Sequence, residues 1–316
     1  MNSLTYFLSG VLVFLLPLFA GSTVATAAHH AFSFQPITEP LSTDTAEPVS
    51  PWKTGGRGAV NFNQVSFVNW AAGGENSYSV SGLVHLYANL RKGKATWNNT
   101  FDIGYGVIRQ AELGARKADD RVELMSKFGY HAINRWYYSG MVNFRTQMDQ
   151  GFNYSQDEPP LLISDLMSPG YLFTSVGMEY KSEDDNFHIL ISPFTGKTTF
   201  VFNDSLSDAG AFGVEPGDNV RQEFGGFTKV SWKREVWTNV HLTSRLDLFS
   251  NYLDNPQRID VNLEVILMMK INQYLVTTLT TNLIYDHDIK ITDRDGNTGP
   301  RTQFKEVLAI GLSYTF

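Results

Sequence analysis

Two-residue alternation of apolar and polar side chains, sustained over unusually long runs, limits the folds open to this chain more than any other feature. Tyr78, Val80, Gly82, Val84, Leu86, Ala88 and Leu90 make one row, and Ser77, Ser79, Ser81, His85 and Asn89 lie between them. Successive side chains of a strand point to opposite faces, so this run is a β-strand with one apolar and one polar face. Trp97, Phe101, Ile103, Tyr105 and Val107 repeat the pattern against Asn98, Thr100, Asp102 and Gly104. Val122, Leu124, Phe128 and Tyr130 oppose Glu123, Lys127 and His131. Ile259, Val261, Leu263, Val265, Leu267 and Met269 oppose Asp260, Asn262, Glu264 and Lys270, and Leu308, Ile310, Leu312, Tyr314 and Phe316 end the chain.

The alternation predicts about twelve strands, at 57–68, 77–90, 95–108, 121–132, 136–148, 171–181, 187–201, 221–233, 236–251, 258–271, 274–287 and 302–316. Short connections (91–94, 133–135, 182–186, 234–235, 272–273) alternate with longer ones (69–76, 109–120, 149–170, 202–220, 252–257, 288–301). An up-and-down membrane barrel has this rhythm, with tight periplasmic turns and longer outer loops, whereas a Greek-key sandwich does not. The expected fold is all-β: a transmembrane up-and-down antiparallel β-barrel over residues 56–316.

Hydrocarbon fixes the sign of the two faces. The polar rows carry Glu123, Lys127, Arg145, Glu179, Lys229, Arg245, Asp247, Asp260, Glu264, Lys270 and Lys305. A Lys or Arg facing lipid at the midplane costs about 2–4 kcal/mol, so these residues are expected to line the lumen. Trp97, Trp136, Tyr138, Tyr180 and Trp232 sit on the apolar rows beside short turns, where an amphipathic ring meets headgroups and forms a girdle. Tyr105, Phe144, Phe224, Tyr285 and Phe304 lie near the opposite ends and predict a second one.

Leu4 to Ala20 is an apolar run followed by Ala25-Thr26-Ala27, the pattern of a secretory signal peptide cleaved near Ala27 or Ala28. No Lys or Arg precedes the run, and Pro17 interrupts it. Residues 28–55, with Pro36, Pro40, Pro48 and Pro51 and no periodicity, read as an exposed linker. The chain has no Cys, which excludes disulfides, thiolate metal sites and a lipoprotein anchor. A net charge of −7 argues against nucleic acid as a partner.

Several stretches carry a family likeness: Trp52-Lys53-Thr54-Gly55-Gly56, Asn61 to Ser77, Trp97 to Gln110, Ser192 to Lys197, Ser207 to Glu215, Leu246 to Tyr252 and Gly299 to Leu308. Together they resemble the domain-of-unknown-function family numbered 3078, exported proteins of Bacteroidota. The resemblance implies an outer-membrane setting and assigns no reaction. The closing strand, with Tyr314 and the terminal Phe316, resembles the signal read by the outer-membrane barrel-assembly machinery. Asp44-Thr45-Ala46 resembles the O-glycosylation acceptor of that phylum, with Thr45 as the acceptor, and Asp204-Ser205-Leu206 is a second match.

Chemical motifs are weak. Gly196-Lys197-Thr198 lacks the first Gly of a P-loop, since Ile191 stands there. The 293–297 segment lacks the Gly and Glu of an EF-hand loop and reads as a turn. His287, between Asp286 and Asp288, is the candidate for a lipid-hydrolysing centre, for which a nearby Ser is needed. His85, His131, His188 and His241 lie on polar faces of separate strands and form no metal-ligand spacing. No cofactor motif is legible. Loops 149–170 and 202–220 are apolar for outer loops and are expected to pack on each other over the mouth or to hold a partner protein.

Lipid is thus one expected partner, and the leading functional expectation is a narrow pore for small polar solutes without strong ion selectivity. A structural or assembly partner of another outer-membrane complex and a lipid-modifying barrel enzyme are the alternatives. Intact mass of the exported protein tests the leader and the linker. The expected mature chain starts at Ala28 or His29, with added glycan mass at Thr45; a mass retaining residues 1–27 contradicts the signal peptide.

Overall fold

The computed structural model describes residues 50–66, 76–110, 114–154, 159–292 and 297–316. The signal peptide, the linker up to residue 49 with Thr45, and most of the 69–76 block lie outside the described residues. Sixteen strands are described: β1 (Trp52–Val65), β2 (Ser77–Lys92), β3 (Ala95–Gln110), β4 (Gly114–Ile133), β5 (Trp136–Thr146), β6 (Gly151–Asn153), β7 (Leu161–Ser164), β8 (Gly170–Lys181), β9 (Phe187–Phe200), β10 (Val220–Trp237), β11 (Val240–Asn251), β12 (Ile259–Lys270), β13 (Leu275–Tyr285), β14 (Lys290–Thr292), β15 (Thr298–Pro300) and β16 (Gln303–Thr315). Twelve of them close one antiparallel barrel, in the order β1-β2-β3-β4-β5-β8-β9-β10-β11-β12-β13-β16 and back to β1. The pairs β6–β7 and β14–β15 are small hairpins within long loops.

Burial is inverted relative to a water-soluble core. Leu124, Val176 and Leu312 are half or more exposed, while Glu179 and Lys197 are almost wholly buried. Register makes the apolar rows continuous across strands: Leu246 faces Leu263, which faces Leu283, which faces Phe304. Only hydrocarbon can receive such a surface while every ladder hydrogen bond stays within the barrel.

Three boundaries differ from the sequence reading, each for a local reason. First, β1 begins at Trp52 and not after Gly56; Trp52 pairs with Leu90 and packs against Trp97 at 5.6 Å between ring centroids. Gly55 and Gly56 have no side chains with which to show alternation. Second, the expected long loop at 109–120 is strand on both sides, because β3 runs to Gln110 and β4 starts at Gly114. Arg116, Lys117, Asp119 and Asp120 make both faces of that extension polar, which erases the period without ending the strand. Third, β10 continues past Arg234-Glu235, and the turn falls at Thr238-Asn239. Asn239 takes the positive φ of 64° that this two-residue turn requires, as Asn134 does with 54° in the turn after β4.

Two glycines allow bulges. A Cβ on Gly177 would lie 2.1 Å from the Ile191 carbonyl oxygen, and one on Gly225 would lie 1.9 Å from that of Ser250. Both lie where the register shifts, beside β9.

The two apolar loops pack on each other, as the sequence suggested. Leu162 and Phe212 cover a buried cluster of Val201, Leu206 and Val214. Asn203 caps helix α1 (Asp204–Asp208), and its Nδ2 donates to Asp165 at 2.9 Å. Burial pushes the Asp165 carboxyl up, but hydrogen bonds from the Leu166 N–H, Asn203 and Gln150 outweigh it and hold the group below its usual range. Leu161, Ile163, Leu166 and Phe202 remain exposed on this side.

Leu263→Arg places a charge in the middle of an outward row. It is expected to lower stability by about 2–4 kcal/mol in urea titrations of the lipid-reconstituted protein. An unchanged midpoint would mean that this face does not meet hydrocarbon.

Candidate functional site in the barrel lumen

The inward rows bring charges together in three groups. Near the short-turn end of β8, the Glu179 carboxylate is fully buried; it pairs with Lys127, with Lys181 at 3.4 Å and with His188 at 3.5 Å. A second group joins Arg145 to Asp247 at 2.6 Å and to Glu123 at 3.0 Å, with Lys229 on Asp247 at 2.8 Å. Asn143, also buried, donates to Glu123 at 2.8 Å. Glu264 closes this layer, accepting from Arg245 at 2.9 Å through one oxygen and from Arg121 at 2.7 Å through the other. The third group lies toward the long loops. Lys197 reaches Asp260 at 2.7 Å and both Glu223 and Asp286 at 3.3 Å, while Arg221 pairs with Glu223 and Asp288. Lys305 meets Asp119 of β4 at 2.6 Å.

The Arg121–Glu264 pair determines the cross-section. β4 and β12 stand six places apart in the ring of twelve, on opposite walls. Twelve strands ~4.8 Å apart and tilted ~40° would close a round tube roughly 24 Å across, whereas an Arg and a Glu side chain joined end to end reach about 14 Å. The barrel is therefore flattened along this line, and the pair spans its lumen.

The interior has two unlike halves. Between β4 and β11 it is packed: Met141, Leu190, Phe227 and Phe249 form a buried cluster with Met125 and Phe173. Thr195 and Thr199 on the inward row of β9 are buried too. The half lined by β1, β2 and β3 carries small polar groups, with Asn61 donating to Ser81 at 3.2 Å, Asn63 to Ser79 at 3.3 Å and Arg57 to Ser313 at 2.7 Å. His85 meets Asp102 at 2.7 Å there.

Ten of the charged residues read from the sequence take part in these ion pairs. Lys270 does not; it lies exposed at the end of β12, beyond the packed layers. Arg121, Lys181, Arg221 and Glu223 were missed, although each stands two residues from a charged residue on the same inward row. Lys197, which the sequence marked only as part of an incomplete P-loop pattern, is the hub of the third group. Asp286 and Asp288, the neighbours of His287, are engaged by Lys197 and Arg221, and His287 Nδ1 meets Tyr285 Oη at 3.2 Å. Among the described residues no group of His, Asp and Glu could hold a metal ion. Trp97, Trp136, Tyr138 and Tyr180 lie within three residues of a strand end at a short turn, and Trp136 packs on Tyr180 at 5.5 Å; Trp232 stands five residues inside β10, because that strand runs on to Trp237, and pairs with Phe187 at the start of β9. Tyr314 and Phe316 stack at 6.3 Å on the outside of the closing strand.

Residues 62–152 match the profile of a family described as "Protein of unknown function (DUF3078)". No curated protein sequence matches the chain. Solved structures similar to it include a COG4313 outer-membrane channel from Pseudomonas putida F1, with 13% identity and a TM-score of 0.38, covering 86% of this chain and 100% of that one. Outer membrane phospholipase A from Escherichia coli is similar at 11% identity and a TM-score of 0.36, covering 85% and 94%. The translocator domain of the autotransporter NalP from Neisseria meningitidis is similar at 7% and 0.33, covering 84% and 88%.

Removing one partner of a buried ion pair strands the other. Glu179→Gln leaves Lys127, Lys181 and His188 together and is expected to cost about 3–5 kcal/mol in urea titrations. Glu183→Gln, which breaks the exposed turn pair with Arg135, should change stability by less than about 1 kcal/mol. Equal effects would contradict the burial assigned to Glu179.

Proposed function

We propose that this chain is a bacterial outer-membrane barrel whose lumen is a narrow passage for small polar solutes, closed at rest by its own ion pairs. The observation that carries the reading is the Arg121–Glu264 pair between opposite walls. One half of the interior is filled by side chains. The Ser- and Asn-lined half beside β1 to β3 is the part left for a solute, and Arg121, 37% exposed, borders it. Neutralising the Glu264 carboxylate weakens both of its contacts and frees two guanidinium groups, those of Arg121 and Arg245, to swing toward the walls. The girdles at the strand ends, recognition of Tyr314 and Phe316 during assembly, and an origin in Bacteroidota belong to the same reading.

A second reading has its own support. Leu161, Ile163, Leu166 and Phe202 remain exposed on the packed outer loops, a surface suited to a protein partner in an outer-membrane assembly.

Planar-bilayer recording separates the two. The passage predicts rare, small conductance steps for the native protein and frequent, larger ones for Glu264→Gln. Large steady steps from the native protein would mean an open pore. Silence from both proteins, with the barrel folded, would mean a structural interior.

A further inference from the structure

The barrel is zipped unevenly at its closing seam. β1 pairs with β2 along its whole length, from Trp52↔Leu90 to Val65↔Ser77. β16 pairs with β13 from Leu312↔Leu275 to Gln303↔Ile284. Between β1 and β16 themselves, Gly56 and Phe316 exchange backbone hydrogen bonds and the ladder runs on from Arg57↔Thr315, but it ends at Asn61↔Gly311. Continued in that register, Phe62 to Val65 would face Ile310 to Val307, yet these residues form no ladder. The seam parts just above Gly311, where a Cβ would lie 2.2 Å from the Asn61 side-chain oxygen. Exposure follows the parting: Val307 and Lys305, both on the inward row of β16, are 38% and 44% exposed, and Asn63 on the inward row of β1 is exposed too.

The outward side chains of the parted segments set them against hydrocarbon. Leu308 and Ile310 point outward from β16, with Phe304 beyond them, and Phe62 points outward from β1. Unpaired backbone N–H and C=O groups there are costly unless they line a wet or occupied cavity. The seam therefore opens the polar half of the lumen sideways to the membrane. Its lipid-side lip carries one charge. Glu306 shares the outward row with Phe304 and Leu308, faces Thr281 on β13, is exposed, and has no hydrogen bond or ion pair among the described residues. A lone carboxylate on a lipid-facing wall is rare without a role.

We propose that the parted half of the β1–β16 seam is a lateral port that admits a single-chain amphiphile with a cationic headgroup. The head lies on Glu306 at the outer lip, and the tail passes inward through the parting between Phe62 and Leu308 to reach Val307 on the inward row. The port is independent of whether the lumen conducts.

The absence of native cysteine allows a direct test in phosphatidylcholine vesicles. With a mild oxidant, the zipped pair Ala59→Cys/Ser313→Cys is expected to form a disulfide, and Asn63→Cys/Ala309→Cys, across the parting, is not. Equal oxidation of both pairs means a closed seam and overturns the port. Binding is then read with a fluorophore on Val307→Cys and two quenchers, a nitroxide-labelled fatty amine and the matching fatty acid. The amine is expected to quench several-fold more than the acid, and Glu306→Gln should remove the difference while the zipped control pair still crosslinks. No quenching above that at the inward-row control Thr243→Cys overturns the port. Equal quenching by amine and acid, or no effect of Glu306→Gln, overturns the cationic headgroup.

Discussion

Everything in this structure depends on one exchange of solvents: oil outside, water and ions inside. A strand ladder that closes on itself leaves few backbone groups needing water, so its outer face can be wholly apolar. The same closure forces each charged side chain of the inner rows into a confined space. There it must find an opposite charge, and Glu179, Asp247, Glu264 and Lys197 each find two or more. Ion pairs of this kind bring little net stability against an apolar filling, but they are exacting about geometry. They draw opposite walls together and flatten the tube.

Flattening divides the interior and gives its halves different character. Met141, Leu190, Phe227 and Phe249 behave as an ordinary core, with Lys197 lying 5.2 Å over the Phe249 ring. The seam side has small hydroxyl and amide groups and the least complete pairing. Packing, openness and the weak point of the ladder therefore lie in fixed relation: the filled half is opposite the seam, and the half with room adjoins it.

Much of this was legible in the sequence, because a strand's period of two survives translation into space almost unchanged. Strand number, the parity of the charged rows and the affinity between the two apolar loops all follow from side-chain order. Legibility failed where that order carries no contrast. Gly55-Gly56 hid the start of β1, and the doubly polar Arg116–Asp120 stretch hid the extension of β4. Which charges meet is a property of the closed ring. Arg121 and Glu264 are 143 residues apart and touch only because the barrel is flattened. The parted seam was equally invisible, since β1 and β16 both alternate well on either side of it.

The most direct test of the central claim is a nitroxide scan along β12, from Val261 to Leu267, in reconstituted bilayers. The account predicts that collision with oxygen dissolved in the hydrocarbon peaks at Val261, Leu263, Val265 and Leu267 and falls at Asn262, Glu264 and Ile266. A flat profile, or one with the opposite parity, would contradict it.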